Sequence, residues 1–357
     1  FVNHFLLWKI LDSLIFTYIA YAIITISIPP KYTFFSFLSI IYLMLIPLDF
    51  ISGAGWVTTT EGCVWPVAAF FPTLIVFKKI FNNKKIKIAE YGISIFLLFF
   101  AVNHEQIAAL SLGLTIVFYI IFLKQNRTDK SKALFFIIQL LITVCSLIFI
   151  FTTPGNENRT LISIKEFFPN WADFSLLQKC EMGFLSIFSY FWGIRNINFL
   201  IVPLLLVLVY LSFKNKNKLS IIAATALLFL VLIFGYGFKL ISIIAHRMKI
   251  NLPIVELFQN QFISAQSDFS KVYIALEIVI FLFITIILLL NIFYLSKDKN
   301  SGLLNLLILS AGFCSAFILS FSPTVYASGT RTLLYFALSI IIVTCRLLFI
   351  RKEDILN

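Results

Sequence analysis

Residues 78–87 read Lys-Lys-Ile-Phe-Asn-Asn-Lys-Lys-Ile-Lys, with apolar sequence on both sides, over 64–80 and 88–102. A short lysine-rich stretch between two apolar runs marks a turn held on the cytoplasmic side of a membrane. The pattern recurs along the chain. Lys124, Arg127, Lys130 and Lys132 form a second cluster, and Lys214, Lys216 and Lys218 a third. Lys297 with Lys299, and Arg351 with Lys352, complete the series.

The composition agrees. The chain has 357 residues, is 61% hydrophobic and only 12% charged, with a mean hydropathy of +1.00. About a quarter of a soluble domain is charged. This much apolar surface calls for the bilayer as solvent, and in lipid only helices and closed barrels satisfy their own backbone. The reading is an all-α, polytopic transmembrane bundle of about eleven crossings. They fall near 5–28, 33–50, 64–80, 88–102, 107–123, 133–152, 198–213, 219–238, 271–295, 303–321 and 333–350. The apolar run 181–194 reads as a re-entrant or interfacial piece. No linker divides the chain, so residues 1–357 form one membrane domain.

With the lysine clusters inside, 18 of the 28 Lys and Arg residues face the cytoplasm and nine face out. The C-terminus is then cytoplasmic. Nine of the 16 Asp and Glu residues lie outside, and a site on that face accounts for the concentration. An odd crossing number puts Phe1 outside, and no basic leader precedes it. The expectation is a missing N-terminal span with its outer loop. The heavy use of Phe, Ile, Lys and Asn fits an AT-rich bacterial genome.

Several classes are excluded. The net charge of +12 lies in loops that flank spans, with no aromatic-interleaved basic stripe, so nucleic acid is not a partner. Five cysteines have no metal-type spacing, and no Walker loop or nucleophile elbow is present. No cofactor or metal is implied.

The unusual polar sequences all fall on the outer side. Residues 49–66 carry Gly53, Gly55 and Gly62, the hydroxyls of Thr58, Thr59 and Thr60, Glu61, and the indoles of Trp56 and Trp65. This stretch reads as a capped interfacial turn, with Thr59 or Thr60 as N-cap and Pro66 in the first helical turn. It reads equally as a sugar-stacking loop. Asn103-His104-Glu105-Gln106 breaks the apolar sequence for only four residues. His104 and Glu105 there form a candidate proton-handling pair below the membrane surface.

Pro154-Gly-Asn-Glu-Asn-Arg-Thr160 reads as a turn, with Arg159 suited to phosphate and Asn156 to sugar hydroxyls. Arg331, beside Thr330, Thr332 and Tyr326, stands outside against the charge trend, as an anion seat does. Phe167, Trp171, Phe174 and Leu177 space an amphipathic helix lying on the outer leaflet lipids. Lys9 and Asp12, three apart, pair on one helix face.

Together, Trp-x-Thr-Thr-Thr-(x4)-Trp-Pro, Asn-His-Glu-Gln, Pro-Gly-Asn-x-x-Arg and the late Thr-Arg resemble an uncharacterised bacterial multi-pass family. That family is similar to the glycosyltransferase C superfamily, near the GtrII-type glucosyltransferases. The resemblance spans roughly residues 45–335, and the order of the motifs carries it. It implies transfer of a sugar from a polyprenyl-phosphate donor to a cell-surface glycan or lipid-linked acceptor, on the outer face. It implies that Arg159 and Arg331 hold the lipid phosphate. The superfamily's catalytic carboxylate belongs to a first outer loop that this sequence lacks. The candidate site is then His104, Glu105 and Glu61 for proton transfer. Arg159, Arg331, Asn103, Asn156, Trp56, Trp65 and Thr59 would bind substrate. A flippase, transporter or polymerase of lipid-linked polysaccharide is the alternative reading.

Overall fold

The computed structural model describes residues 5–28, 36–46, 50, 57–125, 129–192, 198–233, 244, 247, 271–325 and 327–350. Among these residues the structure is helical, with no strand. In chain order the helices are α1 (Phe5–Ser27), α2 (Ser36–Met44), α3 (Val57–Phe81), α4 (Ile88–Ala101), α5 (Glu105–Lys124) and α6 (Lys130–Thr152). Then come α7 (Pro154–Phe167), α8 (Leu176–Trp192), α9 (Asn198–Lys214) and α10 (Lys218–Leu232). The last are α11 (Lys271–Leu295), α12 (Lys299–Phe317) and α13 (Leu334–Ile350). Short 3-10 turns lie at Trp171–Asp173, Ile318–Phe321 and Thr330–Leu333.

Seven helical segments are long and apolar enough to cross a membrane: Leu6–Ser27, Thr60–Phe81, Glu105–Lys124, Lys130–Thr152, Ile278–Leu295, Lys299–Phe321 and Thr330–Leu348. Ile88–Ala101, Leu200–Lys214 and Lys218–Leu232 are apolar but shorter. Two segments form the centre. In Thr330–Leu348 and Thr60–Phe81, 83% and 67% of the apolar stretch is buried, against 22–39% in the other five. The outer helices turn large apolar side chains outward, among them Phe96, Leu141, Phe149, Phe283 and Leu290.

Close approach to the central helix depends on small residues. A Cβ on Gly312 of α12 would meet Ser339 Cβ at 2.7 Å and Phe336 Cα at 3.1 Å on α13. A Cβ on Gly183 of α8 would collide with Ser320 in the 3-10 turn after α12. Glycine removes the side chain that would hold the helices apart and lets their backbones approach closely. Deeper in the bundle, a polar layer joins α3, α4, α5 and α6. Thr73 Oγ1 and Ser94 Oγ are 3.0 Å apart, and Ser111 Oγ and Thr143 Oγ1 are 3.2 Å apart. Thr143 Oγ1 donates to Gln139 O at 2.8 Å. These side chains are fully buried and mutually satisfied, so the layer stitches helices without burying charge.

The lysine-bearing turns at 78–87 and 129–132 and the start of α12 share one end, but the turn at Lys214–Lys218 does not: α9 starts at the shared end, where Tyr42 Oη donates to Leu200 O and lies 3.3 Å from Thr344 Oγ1, and runs back through the core. Lys79 pairs with Glu90, joining the end of α3 to the start of α4. Lys78 Nζ donates to Thr25 O at 2.6 Å and Ile26 O at 3.0 Å, capping α1. Asp129 caps α6 through Ser131 N and Lys132 N and pairs with Lys132 at 3.0 Å. The turns at 102–104 and 318–333 lie at the opposite end.

Three local expectations change. α3 begins at Val57, so Thr58–Thr60 lie inside the helix and Pro66, with Pro72, is in its interior. The start tolerates three threonines because the first N–H groups need no intrahelical partner. Residues 154–167 form a helix, not a turn: Pro154 sits in the first turn, where its missing N–H costs nothing. The stripe from Phe167 to Leu177 is not one helix, because Pro169 disfavours helical geometry at Phe168. Trp171 is buried there with Met182 and Val325, while Phe167 and Leu177 are exposed. Asp12 accepts from Trp65 Nε1 at 3.1 Å, joining α1 to α3.

Candidate functional site

The α4–α5 turn is built from the polar break at 103–106. α4 ends at Ala101, and Asn103 Nδ2 donates back to Phe99 O at 3.0 Å. His104 takes extended geometry (φ −91°, ψ 122°) as N-cap of α5. Glu105 is then the first helical residue, exposed, where a carboxylate favours the positive end of the helix dipole. Gln106 turns the other way. It is buried, and its Nε2 donates to Ser315 O at 2.8 Å and Thr332 O at 3.4 Å.

That amide ties the turn to α12 and to the 3-10 turn at Thr330–Leu333. The 3-10 turn carries Arg331. It starts from Gly329 at φ 65°, a left-handed backbone that favours glycine, and Thr332 Oγ1 closes it on Gly329 O at 2.9 Å. Before it, Ser322 Oγ and Ser328 Oγ meet Thr324 Oγ1 at 2.8 and 2.9 Å. One turn after Arg331, Tyr335 Oη lies 3.3 Å from His104 Nδ1, with ring centroids 5.7 Å apart. Residues 231 positions apart in sequence thus form one contact.

His104 is largely buried, and burial pushes its imidazole down to about 4; the charges of Arg159 and Arg331 push the same way. The ring is neutral at physiological pH, with two guanidinium groups in electrostatic range. Arg159 rises from the exposed second turn of α7. The 3-10 turn after α7 keeps this element at the same end: Trp171 packs with Val325, and Lys179 Nζ sits 4.9 Å from the Trp171 ring centroid. Cys63, near the start of α3, is in electrostatic range of Arg331 and Tyr335.

The structure therefore brings together His104, Arg159 and Arg331. Glu61 lies on the first turns of α3 at this end, and its Oε1 is buried with no hydrogen-bond partner among the described residues. Glu105 projects to the surface, and the polar partner of His104 is Tyr335, so the expected His104–Glu105 pair is not formed. Asn103 and Asn156 use their amides on helix ends, Asn156 Nδ2 donating to Ile150 O at 2.8 Å. Trp65 packs against the main core and on Asp12. Trp56 and the side chain of Thr59 lie outside the described residues.

Sequence reasoning missed Tyr335, Gln106 and Cys63. For Tyr335 a signal existed: it stands four positions after Arg331, on one helical face with it. Among the described residues no group of three or more His, Cys, Asp or Glu side chains is placed to hold a metal. Neither a protein-family model, nor a curated protein, nor a solved structure matches this chain.

Proposed function

We propose that the chain is a multi-pass membrane protein with its lysine-rich end in the cytoplasm. At the opposite end it transfers a sugar from a polyprenyl-phosphate donor to a glycan or lipid-linked acceptor. The outward-facing apolar side chains and seven long apolar helices support the membrane placement. The observation that carries the reaction is a largely buried imidazole 3.3 Å from Tyr335 Oη and within electrostatic range of Arg159 and Arg331.

Sugar transfer needs those two functions. The acceptor hydroxyl must lose a proton as its oxygen bonds to the anomeric carbon, and the phosphate, leaving with the electron pair of the broken anomeric C–O bond, gains negative charge that needs cationic donors. In the tautomer protonated on Nδ1, His104 donates to Tyr335 Oη and leaves Nε2 to accept the hydroxyl proton. Arg159 and Arg331 are fork donors matched to phosphate oxygens. The two roles are coupled: bound phosphate offsets the arginine charges that depress His104, so donor binding makes the ring a better base. The buried polar layer of Thr73, Ser94, Ser111, Gln139 and Thr143 holds hydroxyls and an amide and no charge, which favours transfer over flipping.

The test is transfer of labelled sugar by the purified chain, using undecaprenyl phosphates that carry glucose, mannose or arabinose, with release to water as an acceptor-free readout. Alanine at Arg159 or Arg331 lowers transfer by about tenfold or more, and His104→Ala by about a hundredfold. Wild-type rates in both arginine variants would falsify the phosphate role.

A further inference from the structure

At the lysine-rich end, a shallow cleft, too tight to take in a water molecule, opens to the surface where α11, α12 and α13 meet, lined by Ser296, Lys297, Ser301, Asn305 and Arg346. Arg346 is unusual among these residues. It stands on the central helix, 7% exposed. Its Nε donates to Asn305 Oδ1 at 2.8 Å. Asn305 Nδ2 donates to Ser296 Oγ at 3.0 Å, and Ser296 Oγ donates to Ile292 O at 2.6 Å. This chain fixes one edge of the guanidinium. The two terminal nitrogens make no hydrogen bond among the described residues, yet the side chain lines the cleft.

Among the described residues, two cations face one carboxylate here. Lys78 is within electrostatic range of Arg346, and Lys84 acts on Lys78 in turn. The carboxylate that acts on Arg346 is Asp298, which already caps α12 through Ser301 N at 2.8 Å and Ser301 Oγ at 3.0 Å. Lys297 stands exposed at the rim. A buried guanidinium is stable when both charge and donors are matched, and among the described residues neither match is complete.

The geometry points to a phosphate-binding site at the mouth of this cleft. The terminal nitrogens of Arg346 hold one edge of the phosphate and Lys297 closes from the rim. The cleft is narrow, so the ligand sits at its mouth with the remainder of the molecule outside. A lipid headgroup and a free phosphate share this chemistry. The site lies at the far end of the bundle from His104 and does not depend on the sugar-transfer reading.

Native mass spectrometry of the full chain in detergent, titrated with phosphatidylglycerol and phosphatidylcholine, tests it. The wild type retains one phosphatidylglycerol about tenfold more tightly than phosphatidylcholine. Arg346→Lys, which keeps charge but loses the fork, and Lys297→Ala each weaken retention by about tenfold. Lys216→Ala, an exposed lysine of another turn, leaves it unchanged. In a second arm, inorganic phosphate at millimolar concentration is added alone. A rise in melting temperature that Lys297→Ala abolishes identifies free phosphate as a sufficient ligand. No rise, with lipid retention intact, identifies the headgroup. Unaltered lipid and phosphate binding in both Arg346→Lys and Lys297→Ala overturns the site. Equal losses in Lys216→Ala and Lys297→Ala also overturn it, since binding would then follow diffuse surface charge.

Discussion

His104 should make the folded protein sensitive to mild acid. Its imidazole sits at about 4 in the fold against 6.5 for the solvated group, with burial the main cause and Arg159 and Arg331 adding to it. Between these values the unfolded chain binds a proton that the folded chain does not. Stability therefore rises with pH across this window, and it is lost as pH falls from 6.5 towards 4. At pH 7 the effect is a few tenths of a kcal/mol, and at pH 5 the loss is about 2 kcal/mol. Below pH 4 it reaches about 3 kcal/mol. Melting of the detergent-solubilised chain, followed by intrinsic fluorescence from pH 7.5 to 4.5, reads this out as a few degrees. His104→Gln removes the titrating group, so its acid dependence is flatter than wild type by that amount, whatever its absolute stability. Parallel curves for wild type and His104→Gln would refute a buried neutral imidazole.

Three further outcomes follow from the packing. Gly312→Val drives Cβ against Ser339 and the Phe336 backbone, so α12 separates from α13 and the chain loses about 1–3 kcal/mol, measured by thermal melting. Gln106→Leu removes the donor that joins the α4–α5 turn to Ser315 O and Thr332 O; it costs about 1–3 kcal/mol and lowers sugar transfer by displacing Arg331. In whole cells of a cysteine-free background, a membrane-impermeant maleimide labels Glu157→Cys from outside and spares Lys85→Cys; the reverse pattern inverts the orientation.

Much of the fold was legible because long apolar runs, and the lysine clusters between them, mark helices and their connections in composition alone. The lysine clusters at 78–87 and 124–132 mark connections that the structure places at one end. The four-residue break at 103–106 marks a turn because two apolar runs and two lysine clusters bound it. Local errors arose where one residue type serves two geometries. Pro154 in a Pro-Gly pair signals a turn, yet it is equally at home in a first helical turn, and α7 uses it so. The spacing from Phe167 to Leu177 fits a helix only if Pro169 is ignored.

The candidate site was half legible. Lone polar groups in apolar surroundings drew attention to His104, Arg159 and Arg331. What spacing could not show is which helices meet: His104 reaches Tyr335, and Gln106 reaches Thr332, through packing of distant segments. The side of a helix that a residue faces also decides its role. Glu105 and Gln106 are neighbours, but a step of about 100° sends one to the surface and the other into the core.

The claim that His104, Arg159 and Arg331 form one phosphate-holding, proton-accepting site is tested most directly by titrating His104 itself. In ¹⁵N-histidine-labelled protein, with His104→Gln to assign the signal, the ring titrates near 4. It moves upward when undecaprenyl phosphate is added, and upward again when Arg331→Ala removes a neighbouring charge. A midpoint near 6.5 that responds to neither change contradicts the account.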